Sequence, residues 1–86
     1  MNIGVITGAS SGIGREFVLR LAEKHNFDEI WLIARRAGKL EELAKELQTK
    51  VRVLALDLTK TESVEEYAQE LKRAGARVSV LVNASG

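Results

Sequence analysis

The chain has 86 residues, 45% of them hydrophobic and 29% charged, with a formal net charge of +1, seven glycines and neither proline nor cysteine. This length predicts one compact domain, and the small net charge excludes a dominant electrostatic footprint for nucleic acid or an anionic membrane. Without cysteine there are no disulfides or thiolate metal sites, and the longest apolar runs, Val78–Val82 and Ile30–Ala34, are far too short to span a bilayer.

Ile3–Thr7 (IGVIT) is a short apolar, β-branched run stopped by glycine, which predicts a buried strand. Ile13–Lys24 follows at helical spacing, with Ile13, Phe17, Val18, Leu21 and Ala22 expected inward. Glu29–Ala34 (EIWLIA) predicts a second strand, and Lys39–Gln48 a second helix with Leu40, Leu43, Ala44 and Leu47 on one stripe. Val51–Leu56 predicts a third strand. Ser63–Ala74 predicts a third helix with Val64, Tyr67, Ala68 and Leu71 inward, and Val78–Val82 a fourth strand.

Strands alternating with helices of ten or more residues imply βαβ crossovers and a parallel sheet. Right-handed crossovers then give the strand order 3-2-1-4, with the first two helices on one sheet face and the third on the other. The expected architecture is an α/β, Rossmann-type three-layer fold with three crossover helices. Open sheets of this kind bind ligands where the strand order reverses, here between strands one and four. Strand four is an expected open edge, with Val80 and Val82 or their alternates uncovered, and this predicts self-association through that edge or face.

Thr7-Gly8-Ala9-Ser10-Ser11-Gly12-Ile13-Gly14 joins the first strand to the first helix. Gly8 permits a turn that a Cβ would obstruct, Gly12 permits close backbone approach to a ligand, and Gly14 permits tight helix packing. Free amides and the positive end of the helix dipole suit a pyrophosphate there, and the Ser10 and Ser11 hydroxyls add donors.

The spacing Gly-x-x-x-Gly-x-Gly resembles that of the short-chain dehydrogenase/reductases, whose motif reads TGxxxGxG, as in Thr7–Gly14. Three more motifs carry the resemblance. Asp57-Leu58-Thr59 is similar to the family's adenine-contacting acidic motif. Asn83-Ala84-Ser85-Gly86 is similar to its Asn-Asn-Ala-Gly, with Ala84 and Ser85 departing from it. Arg35-Arg36 stands where the family chooses between cofactors. The resemblance implies a dinucleotide site formed by Gly8, Ser10, Ser11, Gly12, Ile13, Gly14, Arg35, Arg36, Asp57, Leu58, Asn83 and Ala84.

An NAD site typically carries a carboxylate at the end of strand two, for the ribose hydroxyls. Here Ala34 holds that position, followed by Arg35 and Arg36, and the nearest acidic residues, Asp28 and Glu29, lie at the strand's start. A planar, permanently charged guanidinium suits the 2′-phosphate, so NADP(H) is expected over NAD, with Arg35 the better candidate of the two. Asp57 has a competing role in turn or helix-cap chemistry, which the Thr59 or Thr61 hydroxyl could also claim. Asn83 either ties down its neighbours or meets the cofactor ribose.

The family's proton-transfer groups, a Ser and a Tyr-x-x-x-Lys pair, have no counterpart here, because Tyr67, the sole tyrosine, is followed four residues later by Leu71. Tyr67 is expected to pack, and His25 to make a helix-terminus contact. The expectation is a cytoplasmic NAD(P)-binding half-domain over residues 1–86, a fragment of an enzyme that interconverts an alcohol and a carbonyl and is inactive alone. The alternative is a stand-alone dinucleotide-binding or redox-sensing module that never catalyses.

Overall fold

The computed structural model describes residues 1–8, 12–36 and 38–83, and for residues 12–14 and 39 the description covers the backbone only. Among the described residues seven elements follow in strict alternation: β1 (Asn2–Thr7), α1 (Gly12–Lys24), β2 (Glu29–Ala34), α2 (Gly38–Glu46), β3 (Val51–Ala55), α3 (Thr61–Ala74) and β4 (Arg77–Asn83). All strand pairs are parallel, in the order β3-β2-β1-β4. Two neighbours, β2 and β4, therefore flank β1 from opposite sides, and the winding reverses at β1 as the sequence predicts.

Alternate side chains of the central strands feed two separate cores, as the pleat requires. On one face Ile6, Ile30 and Leu32 pack with Val18 of α1 and with Leu40 and Leu43 of α2. On the other, Ile3, Val5, Trp31 and Ile33 pack with Tyr67, Leu71 and Ala74 of α3. One face thus carries α1 and α2 and the other α3, as right-handed crossovers demand.

Helix faces depart from the sequence reading in places. Phe17 is 53% exposed, and Leu19 contributes to the first core instead. In α3 Val64 and Ala68 are exposed, and the inward stripe runs Tyr67, Leu71 and Ala74. The helix caps differ too. Lys60 takes the N-cap position of α3 with no side-chain cap bond, so neither threonine hydroxyl caps it. At the other end Gly75 turns left-handed (φ 60°), and its N–H donates back to the carbonyls of Leu71 and Lys72.

Gly4 is required by packing. A Cβ built there would meet Phe27 Cε2 at 2.9 Å, so the aromatic ring lies against bare backbone at the head of β1. His25 stacks on that ring, with centroids 5.5 Å apart, while its own N–H donates to the Leu21 carbonyl as α1 ends.

A register shift between Ile3 and Gly4 alters β4. Ile3 pairs with Val78 but Gly4 with Val80, so Ser79 is the extra residue of a bulge. Val78 and Leu81 are thereby brought beside Ile3 and Val5, on the α3 face, and they are 37% and 64% exposed. Val80 and Val82 are partly buried, Val82 against the first core. The uncovered pair on this strand is thus Leu81, an alternate of Val80 and Val82, and Val78, which the bulge moves across the sheet.

Candidate dinucleotide site

Parallel strands end on the same side of a sheet, so every residue that follows a strand arrives at one rim. Thr7 closes β1 opposite Ile33 on one side and Asn83 on the other, and Ala34 of β2 stands opposite Ala55 of β3. Backbone bonds extend this rim beyond the strands: the Gly8 N–H donates to the Ile33 carbonyl (2.8 Å) and the Leu56 N–H to the Ala34 carbonyl (3.0 Å). Gly8, Arg35, Asp57 and Asn83, which are dispersed in sequence, are brought to the same end of the sheet.

Gly8 has φ 72°, the left-handed region that a side chain would strain. The chain therefore turns sharply off β1, and α1 begins four residues later at Gly12. The first turn of α1 carries no acidic residue, so no carboxylate of that turn neutralises the positive end of the helix dipole. Gly12 and Gly14 are in this turn. Ser10, Ser11 and Ala84 lie outside the described residues, as does the side chain of Ile13.

Arg35 and Arg36 follow β2, and both are exposed. The carboxyl of Asp57 is held below its ordinary range. The Thr59 hydroxyl donates to Oδ1 at 2.6 Å and contributes most, and the Thr59 backbone N–H adds a second bond to the same oxygen at 3.0 Å. Burial opposes these two bonds in part, and the positive charges of Arg35 and Lys60 add smaller effects that lower it further. The competing turn role foreseen for Asp57 is thus filled, since its side chain closes a turn onto Thr59. Lys60 as a cation beside this carboxylate is a residue the sequence reading missed; only its place three residues after Asp57 signals it.

Leu58 packs its side chain into the α3-side core, so any contact with a ligand falls to its backbone. Asn83 Oδ1 accepts a bond from the Thr7 hydroxyl at 3.1 Å, which fastens the end of β4 to that of β1. Tyr67 packs, as its place on the apolar stripe predicts: it meets Trp31 edge-on with centroids 6.5 Å apart, and burial raises its phenol pKa. Among the described residues, no helix is long and apolar enough to cross a membrane.

Comparison with known proteins agrees with this topology. Residues 2–86 match the short chain dehydrogenase family. The very-long-chain 3-oxoacyl-CoA reductase of Schizosaccharomyces pombe is 43% identical over 88 residues, which cover 95% of this chain and 25% of that protein. The NADP-dependent 3-hydroxy acid dehydrogenase of the same organism is 38% identical over 86 residues, covering 95% of this chain and 33% of that protein. Among solved structures, the ketoreductase from the first module of phoslactomycin biosynthesis in Streptomyces sp. HK803 superposes with a TM-score of 0.78 at 28% identity, covering 98% of this chain and 21% of that one. The chain thus spans about a quarter to a third of the length of the curated relatives it matches. With the strand reversal, the left-handed glycine at the rim and a family match over nearly every residue, the chain belongs to the short-chain dehydrogenase family.

Proposed function

We propose that residues 1–86 form the NADP(H)-binding half-domain of an oxidoreductase that interconverts an alcohol and a carbonyl. One observation carries this reading: Gly8, Arg35, Asp57 and Asn83 meet at the carboxyl ends of parallel strands, on either side of the strand reversal. A crevice at that position suits a dinucleotide laid across β1. The donor set fits each part of it in turn. Amides around Gly12 and Gly14, with the Ser10 and Ser11 hydroxyls, would take the pyrophosphate at a helix start free of acidic residues. Arg35, seconded by Arg36, would take the 2′-phosphate. The Asp57 carboxylate would accept from the adenine amino group while the Leu58 N–H donates to the ring, and Asn83 with Ala84 would approach the nicotinamide-side ribose.

When bound, NADP(H) supplies or accepts the hydride. This chain's residues bind and orient it; the groups that move the proton, in this reading, lie outside residues 1–86, and the chain alone is inactive. That one relative is NADP-dependent supports the choice of cofactor. Parallel titrations of NADPH and NADH test it, with tighter NADPH binding expected. Equal or tighter NADH binding would remove the role given to the arginines.

The same half-domain is expected to self-associate. β4 stands at the end of the strand order, and Leu81 and Val78 expose apolar surface on its α3 side. An apolar edge strand is a template for pairing with another copy. Sedimentation should show association that weakens in Leu81→Lys; a single monomeric species at high concentration would contradict it.

A further inference from the structure

The turn at the end of β3 is closed by side-chain as well as backbone hydrogen bonds. Both donors of Thr59, hydroxyl and backbone N–H, converge on one oxygen of Asp57, Oδ1, at 2.6 and 3.0 Å. An aspartate side chain has two torsions, and two bonds to a single oxygen from one residue fix both. Its other oxygen takes no part in that turn. Leu58, between the two residues, is anchored by its side chain in the α3-side core, so the turn has a rigid base.

We propose that Thr59 is a positioning residue: by committing Oδ1 it reserves Oδ2 of Asp57 as a fixed acceptor for the 6-amino group of a purine, making the site selective for adenine over hypoxanthine. This rests on the dinucleotide-binding reading above. The chemistry is one of sign. A 6-amino group donates to the carboxylate, whereas the 6-carbonyl of hypoxanthine presents a lone pair to it. A carboxylate free to rotate could turn away from that carbonyl; one held by Thr59 cannot. Rigidity of the acceptor, rather than its charge alone, creates the discrimination.

The test compares NADPH with reduced nicotinamide hypoxanthine dinucleotide phosphate, which differ only at that ring position and its adjoining nitrogen. The unsubstituted chain is expected to favour NADPH by about tenfold to a hundredfold, the worth of one hydrogen bond to a charged group. Thr59→Ala should bring the two affinities toward parity, and Thr59→Ser, which keeps the hydroxyl, should restore the difference. A readout independent of ligand accompanies it. The Asp57 carboxyl, followed by NMR, should titrate at higher pH in Thr59→Ala and remain low in Thr59→Ser, with Arg35 and Lys60 as the neighbouring charges in all three proteins.

An unchanged preference in Thr59→Ala, or an equal loss for both dinucleotides, overturns the role of Thr59 while leaving the binding reading intact. Failure of the unsubstituted chain to bind NADPH removes both together.

Discussion

Arg35→Ala is expected to weaken NADPH binding by about tenfold to a hundredfold while leaving NADH binding nearly unchanged. The magnitude comes from a hydrogen bond to a charged group, worth about 1.5–3 kcal/mol net, with 1.4 kcal/mol per factor of ten. Arg35 directly follows β2 and is exposed, so its removal costs the core nothing. The guanidinium lies close enough to Asp57 to lower that carboxyl, which places the two on the same part of the rim. Arg35→Lys should lose an intermediate amount, because an ammonium keeps the charge and gives up the planar fork. Raised salt should narrow the difference between the two cofactors, since both groups are near solvent. Calorimetric titration of the two dinucleotides against each protein decides it. An equal loss for NADPH and NADH would mean that Arg35 holds something common to both, and 2′-phosphate recognition would have to be given up. Arg36→Ala is the control, with a smaller loss expected.

What the sequence reveals of this fold follows from which features are local. Period and punctuation are local, so every strand and helix was foreseen, and their ends shifted by only one or two residues. Strand order also followed, because crossover handedness leaves few alternatives once the alternation is recognised. Side-chain facing proved harder to read. Phe17 fits the helical stripe of α1 yet is exposed, and Leu19 replaces it, because the width of a buried stripe depends on what lies opposite. In β4 strict alternation predicts Val78, Val80 and Val82 on one face, but Ser79 inserts a bulge and moves Val78 across the sheet. A bulge answers to the partner strand, and no pattern within β4 announces it. Gly4 stands within an apolar run, and its cause, the ring of Phe27, lies 23 positions away in sequence. At the rim, spacing and family resemblance identified the motifs, while the Thr7–Asn83 bond and the Lys60 charge depend on two segments meeting in space.

Trp31→Ala should have the largest effect on stability of any single substitution in the α3-side core. The indole is fully buried at the centre of β2, packed with Ile3, Val5 and Ile33. Its Nε1–H donates to Glu29 Oε1 at 3.0 Å, so its only polar atom is satisfied. The Arg52 guanidinium lies 4.9 Å from the ring centroid and also pairs with Glu70 of α3, which accepts a second bond from Arg73. Tyr67 closes the remaining side edge-on. Truncating a buried tryptophan typically costs about 3–5 kcal/mol, through lost transfer energy and the cavity left behind. At about 0.1 kcal/mol per residue, a chain of this length has a total stability of about 9 kcal/mol, so a third to a half of it would be lost. Chemical denaturation followed by circular dichroism measures this, because Trp31 is the only tryptophan and its substitution removes the fluorescent reporter. Trp31→Phe should recover most of the loss, keeping a ring for Tyr67 and Arg52 while giving up the bond to Glu29. The consequence reaches the rim as well. Trp31 is the surface on which Tyr67 seats α3, and α3 begins two residues after Thr59. Amide exchange in Trp31→Ala should therefore accelerate in α3 before it does in α1 or α2. A loss below about 0.5 kcal/mol, the ordinary range for a surface site, would show that α3 is held by other means and that Trp31 is not the centre of its core.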